Sequence, residues 1–219
     1  MIVTVLLFIA IAPVAYFLGG LNGAIITSRL VYRDDIRAHG SGNPGLTNFY
    51  RTYGGRAIAL LLCIDILKTA LPVVVSGLLF AQFAAFDRAD PAMIGRIWAG
   101  LFSMLGHAFP CLYGFRGGKC VLSGGTMVLF LGWQIALLTL GSFVLAVIIT
   151  RYVSVGSILA GLMLPVALLI IGVHGWPVIL GALCGALIAF RHAENLGRLF
   201  RGEERRLSFK RRRDKGEDT

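Results

Sequence analysis

Apolar residues in this chain come in runs of about twenty, separated by short polar breaks. No other feature restricts the fold so tightly. A helix needs about 20 consecutive apolar residues to cross the ~30 Å hydrocarbon core of a bilayer. In lipid a backbone satisfies its own polar groups only as a helix or a closed barrel. Runs of this length without period-two alternation read as helices. Charged residues make up 15% of the chain, well below the roughly 25% of ordinary soluble domains, so a soluble globular fold is excluded.

The runs predict an all-α polytopic membrane protein with about seven transmembrane helices. The first covers Ile2 to Thr27, the second Ala57 to Phe80 and the third Met93 to Cys111. The apolar region from Val121 to Thr150 is too long for one span, and Gly132-Trp133-Gln134 interrupts it, so it divides into two short or tilted helices. The last two run from Val155 to Val173 and from Trp176 to Phe190, separated by the turn His174-Gly175-Trp176-Pro177. No basic residue precedes the first run, which therefore reads as a permanent span and not a cleaved signal.

Charge orients the bundle. The formal charge is +10, and ten of the 21 Lys and Arg lie between Arg191 and Lys215, with five more between Arg29 and Arg56. Basic residues gather on the cytoplasmic side of a membrane. With the C-terminus inside and an odd number of spans, the N-terminus is outside. Loops 28–56, 112–120 and 151–154 and the tail then face the cytoplasm, carrying 18 of the 21 basic residues. Arg88 and Arg96 lie near an outside loop, and Lys68 lies within a span. The layout is a single integral-membrane domain over 1–204 and a disordered basic tail over 205–219. The run Lys210-Arg211-Arg212-Arg213 suits anionic lipid, and without interleaved aromatics it does not read as a nucleic-acid site. Cys63, Cys111, Cys120 and Cys184 show no paired spacing, so neither a disulfide framework nor a zinc site is expected, and no cofactor is called for.

Three polar patches fall on the inside face. The first is Gly40-Ser41-Gly42-Asn43-Pro44-Gly45-Leu46-Thr47-Asn48, flanked by Arg37 and Arg51. Glycines free a backbone to expose its N–H groups, which makes this a candidate anion-binding loop. The second is His107-Ala108-Phe109-Pro110 followed by Arg116-Gly117-Gly118-Lys119, where two glycines and a lysine precede a helix. It lacks the spacing of a Walker A loop. The third is Arg191-His192-Ala193-Glu194-Asn195-Leu196-Gly197-Arg198, with His192 and Asn195 spaced to share a helix face. Asp65 and Lys68 sit three apart inside the second span, where ionisable groups are paired or functional. No HxxxxD, Gly-x-Ser-x-Gly or HExxH arrangement is present. Residue by residue, the patches remain open to three readings: interfacial turns, a transporter of a small phosphorylated solute, and a metal-free enzyme handling phosphate.

Taken together, the patches resemble the bacterial acyl-phosphate-dependent glycerol-3-phosphate acyltransferases. The first motif of that family is similar to Gly40 through Asn48 leading to Arg51. The second is matched by His107, Phe109, Pro110, Phe115, Gly117, Gly118 and Lys119, and the third by Arg191, His192, Asn195, Arg198, Gly202 and Glu204. The resemblance implies transfer of a fatty acyl group from acyl-phosphate to the 1-hydroxyl of sn-glycerol 3-phosphate, yielding lysophosphatidic acid and phosphate, at the cytoplasmic face of the bacterial inner membrane. It implies catalytic roles for Ser41, Arg51, His192 and Asn195. Substrate contacts would come from Gly40, Gly42, Asn43, Thr47, Asn48, Lys68, Gly117, Gly118 and Lys119, and structural roles from Asp65 and Glu204. The chain departs from the family at Leu46, Thr69 and Cys120, where alanine, glycine and glycine are usual, which leaves a non-catalytic or altered-specificity paralogue as an alternative. A left-handed backbone at Cys120 would cost about 1–2 kcal/mol.

Overall fold

The computed structural model describes residues 1–86 and 90–207, and every regular element among them is helical. Arg88 and most of the expected tail, 208–219, lie outside the described residues. The helices are α1 (Ile2–Gly20), α2 (Gly23–Tyr32), α3 (Leu46–Tyr53), α4 (Ile58–Phe83), α5 (Pro91–Ala108), α6 (Val121–Leu129), α7 (Trp133–Thr150), α8 (Val153–Ile170), α9 (Trp176–Arg191) and α10 (Ala193–Phe200).

Local chemistry sets the breaks. The Asn22 side chain accepts from the Ile25 N–H at 3.0 Å and starts α2, which divides the expected first span. Asp90 caps α5 through the Ala92 N–H at 2.9 Å, with Pro91 at its first position. Gly132, at φ 138°, separates α6 from α7 at the expected interruption.

Among the described residues, four stretches are long and apolar enough to cross a membrane unaided: Ile2–Tyr32 taken as one broken run, α4, α7 and α8. The pair α9 and α10, bent by 53°, makes a fifth. All seven expected runs are helical, and two of them, α5 and α6, fall short of that length and composition for two physical reasons. Helix α6 has nine residues and rises only ~13.5 Å, about half the hydrocarbon core. Helix α5 carries Arg96 and His107, but 12 of its 18 residues are buried by neighbouring helices. A helix covered by protein does not have to present an apolar face to lipid.

Helix α5 forms the centre, with Ile94, Ile97 and Met104 packed beside Phe80, Met127 and Leu168. It meets α1 backbone to backbone, because a Cβ on Gly19 would overlap Ser103 and one on Gly106 would overlap the Tyr16 carbonyl. Gly161 and Gly185 bring α8 and α9 together in the same way. Small residues give helices close packing where lipid offers no hydrophobic drive for association. A second, smaller core of Ile25, Ile36, Phe49 and Leu61 seats the 23–57 segment on α4.

The polar segments converge on one end of the bundle. Arg37 Nη1 donates to the Tyr113 carbonyl at 3.1 Å. The Ser154 hydroxyl donates to Glu204 at 2.9 Å, and the Leu207 N–H donates to the Arg151 carbonyl at 2.7 Å.

Candidate active site

At that end a cavity of about 650 Å³ enters the bundle. Its head is polar, walled by Ser41, Asn43, Thr47, Asn48, Arg51, Lys119, His192, Asn195, Arg198 and Glu204. Its throat is apolar and runs between α5, α6, α7, α8 and α9, past Met104, Met127, Leu140, Phe143, Leu164 and Ile188. Along α9 the wall extends from His192 down to Cys184, a helical drop of ~12 Å.

The first loop offers anions something different from what its glycines suggest. Gly40 and Gly42 take φ of 59° and 70°, and neither is in the cavity wall. The Gly42 N–H is used by the His39 carbonyl at 2.9 Å, and the Ser41 N–H by Asn48 Oδ1 at 3.0 Å. Asn48 also donates to the His39 carbonyl at 2.9 Å, so its side chain ties the loop together. Asn22, which sequence reasoning missed, donates to the Pro44 carbonyl at 3.1 Å; an asparagine amid an apolar run was the signal. The free donors lie at the start of α3. Its N-cap is Gly45, no side chain caps it, and the first helical bond is Phe49 N–H to Gly45 at 3.0 Å. The N–H groups of Leu46, Thr47 and Asn48, all in the cavity wall, are left at the positive end of the helix dipole. Arg51 lines the cavity with no ion-pair partner among the described residues. Arg37 is committed to Asp35, at 2.8 Å, and to Tyr113. Leu46 is 36% exposed at the rim, so its extra bulk meets no close packing.

In the second loop Gly117 and Gly118 act as spacers against His107, and neither is in the cavity wall. Neither takes a positive φ. A Cβ on Gly117 would overlap the His107 carbonyl, and one on Gly118 would overlap the His107 ring. The Gly118 N–H donates to His107 at 3.0 Å, while Arg191 donates to the Gly117 and Gly118 carbonyls at 2.9 and 3.0 Å. Packing and Arg191 thus fix the loop segment that presents Lys119. The Lys119 ammonium donates to Asn195 Oδ1, and burial, with the Arg198 charge next, lowers its pKa below the usual lysine value. Cys120 takes φ 65° and precedes α6 without capping it with its side chain, leaving a second open helix N-terminus in the wall. Its thiol donates to the Met104 carbonyl at 3.2 Å, and burial pushes its pKa up to about 12, so it remains a thiol and not a nucleophile.

The third patch straddles the bend between α9 and α10. His192 Nδ1 lies 2.8 Å from the Ile188 carbonyl. A carbonyl only accepts, so Nδ1 carries the hydrogen and Nε2 is left with a lone pair. Burial first, then the Lys119 and Arg191 charges, depress the His192 pKa to about 4, which keeps the ring neutral at pH 7. Glu204 accepts from Asn195 at 2.7 Å, Ser154 at 2.9 Å and Arg198 at 2.9 Å. Burial opposes its ionisation, but these three bonds outweigh burial and lower its pKa. Ser154 and Arg198 join the head without having been singled out as site residues; Arg198 stood in the third motif, but Ser154 had no sequence signal.

Beneath the head, Lys68 Nζ lies 2.7 Å from Asp65 Oδ1 and 2.7 Å from His107 Nδ1. Asp65 Oδ1 also accepts the Gly23 N–H at 2.9 Å. Asp65 and His107 reach the cavity wall, whereas Lys68 sits behind it, with 1% of its side chain exposed. This corrects its expected place as a phosphate ligand, because its ammonium is already shared. Thr69, where glycine is usual, is fully buried, and its hydroxyl lies 3.4 Å from the Asp65 carbonyl.

The sequence profile of the glycerol-3-phosphate acyltransferases matches residues 9–202. The chain is 36% identical to the glycerol-3-phosphate acyltransferase of Chlorobaculum parvum, over 94% of this chain and 99% of that one. It is 37% identical to that of Photobacterium profundum, over 88% and 89% of the two chains. Two crystal structures of PlsY, an integral membrane glycerol 3-phosphate acyltransferase, are similar in fold. Its glycerol 3-phosphate form superposes with a TM-score of 0.79 at 30% identity, covering 92% of this chain and 96% of that one. Its lysophosphatidic acid form gives 0.78 at 29% identity, covering 92% and 95%.

Proposed function

The chain belongs to the glycerol-3-phosphate acyltransferase family, and from that premise we propose how its cavity works. The protein is an integral-membrane enzyme that transfers an acyl group to glycerol 3-phosphate. The donor is acyl-phosphate, the acceptor is the 1-hydroxyl of sn-glycerol 3-phosphate, and the products are lysophosphatidic acid and phosphate. The observation that carries this reading is one cavity that joins a cationic head to an apolar throat.

Two phosphorylated substrates need two anion holders, and the head supplies two. One is the open N-terminus of α3 with Ser41, Thr47 and Arg51; the other is the open N-terminus of α6 with Lys119, beside Asn195 and Arg198. The throat takes the acyl chain. The acceptor hydroxyl forms a bond to the acyl carbon, the bond from that carbon to the phosphate oxygen breaks, and the hydroxyl proton ends on the departing phosphate. His192 Nε2 accepts the hydroxyl hydrogen bond and orients the attack. The mixed anhydride is already activated, so positioning and charge stabilisation supply the catalysis. Glu204 holds the α10 segment over the site, and Asp65 braces α2 and α4. The head faces the cytoplasm at the bacterial inner membrane, where the water-soluble acceptor arrives while the acyl chain remains in lipid.

The test is purified protein with palmitoyl-phosphate and labelled glycerol 3-phosphate, set beside palmitoyl-CoA as donor. Lysophosphatidic acid forming from the acyl-phosphate alone supports the reading. Product from the thioester alone overturns the donor, and no product from folded protein overturns the acyl transfer.

A further inference from the structure

The Asp65–Lys68–His107 cluster does more than the ion pair within it requires. Asp65 and Lys68 are three residues apart on α4 and neutralise each other at 2.7 Å. His107 comes from α5 and adds nothing to that neutrality, yet its Nδ1 lies 2.7 Å from the same ammonium. A buried ion pair is an expensive way to pack two helices, and apolar residues of similar size serve as well or better. Its retention under the loop that carries Lys119 asks for another role.

The geometry specifies one. The ammonium has only hydrogens to offer, so Nδ1 is the acceptor and the ring hydrogen must sit on Nε2. Nε2 is the opposite edge of the ring, which lies where any Gly118 side chain would be. His107 is in the cavity wall, and Nε2 has no hydrogen-bond partner among the described residues. The His107 carbonyl also accepts the Gly118 N–H at 3.0 Å, so ring and loop are held as one unit.

We propose that Asp65, Lys68 and His107 form a buried relay that holds His107 as the Nε2–H tautomer and presents that hydrogen, beside Lys119, to a phosphate oxygen of the substrate. His107 is then a phosphate-binding residue, and Lys68 and Asp65 are positioning residues acting through it. This rests on the acyl-transfer reading for the identity of the substrate, but the tautomer itself does not.

The experiment is 15N histidine spectroscopy on the intact protein in lipid nanodiscs, with inorganic phosphate as probe, joined to steady-state kinetics. Wild-type His107 should show a protonated Nε2 and an unprotonated Nδ1, with the Nε2 signal moving on addition of phosphate. Lys68→Met should randomise the tautomer and raise the KM for glycerol 3-phosphate about ten- to a hundredfold, the range for a hydrogen bond to a charged group. Asp65→Asn keeps the acceptor for the Gly23 N–H and guards against misfolding; it should give a smaller rise. His107→Gln, which can place an amide donor near the Nε2 position, should retain a KM within a few-fold of wild type, whereas His107→Ala should not. An Nδ1–H tautomer in wild type overturns the relay, as does a Lys68→Met protein that loses thermal stability with tautomer and KM unchanged. A phosphate-responsive Nε2–H in a protein without acyl transfer leaves the relay standing and overturns only the reaction.

Discussion

At the level of single residues, the site is built by groups that hold other groups. Asn48, Arg191 and Glu204 make most of their bonds within the protein, and Ser41, Arg51, Lys119 and His192 are left to face the cavity. Cys120 shows how a strained residue is tolerated. It takes a left-handed backbone at φ 65°, and a side chain there costs about 1–2 kcal/mol. Its buried thiol returns part of that through packing and the bond to Met104. Cys120→Ala keeps the backbone strain and loses the bond, while Cys120→Gly loses the bond and the strain. The glycine variant should therefore be the more stable of the two by about 1 kcal/mol in chemical or thermal unfolding. His192 makes a pH prediction whose sign follows from its depressed pKa. The unfolded chain takes up a proton near pH 6.5 and the folded protein only near pH 4. Its contribution is complete above pH 6.5 and is lost as pH falls toward 4, on the order of 3 kcal/mol. Between pH 7 and pH 4.5 the wild type should lose more stability than His192→Asn. A rate limb near pH 6.5 that disappears in His192→Gln would contradict the neutral ring.

Elements reach their places through small residues and short helices. The α1–α5 contact at Gly19 and Gly106 and the α8–α9 contact at Gly161 and Gly185 leave no room for a side chain. Gly106→Leu should prevent folding, read as loss of a monodisperse species in detergent. Gly185→Leu should push α8 from α9, widening the throat that both helices line, and reduce activity on long acyl chains more than on short ones. Helix α6 matters because it is brief. Its N-terminus opens beside Lys119, and Arg96 donates to the Phe130 carbonyl at its other end at 3.1 Å. A guanidinium there satisfies one of the orphan carbonyls and suits the negative end of the dipole.

For the molecule as a whole, the division is between two solvents. The three polar patches meet at one end, and the apolar throat leads from them into the bundle. An amphipathic substrate fits that division, with its phosphate in the head and its chain in the throat. The basic residues predict that this end is cytoplasmic. Cysteines introduced at Arg116 and at Gly175, in a background without the native thiols, should be labelled by an impermeant maleimide from opposite sides of the membrane. Labelling of Arg116→Cys from outside the cell would reverse the orientation.

Hydropathy and motif spacing made the helical membrane fold and the three polar patches legible in the chain, since apolar length and residue type are local quantities. The turn at Gly132 was readable for the same reason, and α5 begins at Pro91, close to the expected Met93. The cover that lets α5 carry a charge, the spacing role of Gly118 and the position of Lys68 were not readable. Each depends on what another segment does: α5 can carry Arg96 because neighbours cover it, Gly118 is small because the His107 ring lies against it, and Lys68 is withdrawn from the cavity by Asp65 and His107. The sequence by itself determined which chemistry the protein carries and that a membrane surrounds it. Only the tertiary structure decided which of those groups remain free for substrate, because a donor or a charge is available only when no distant partner has already taken it.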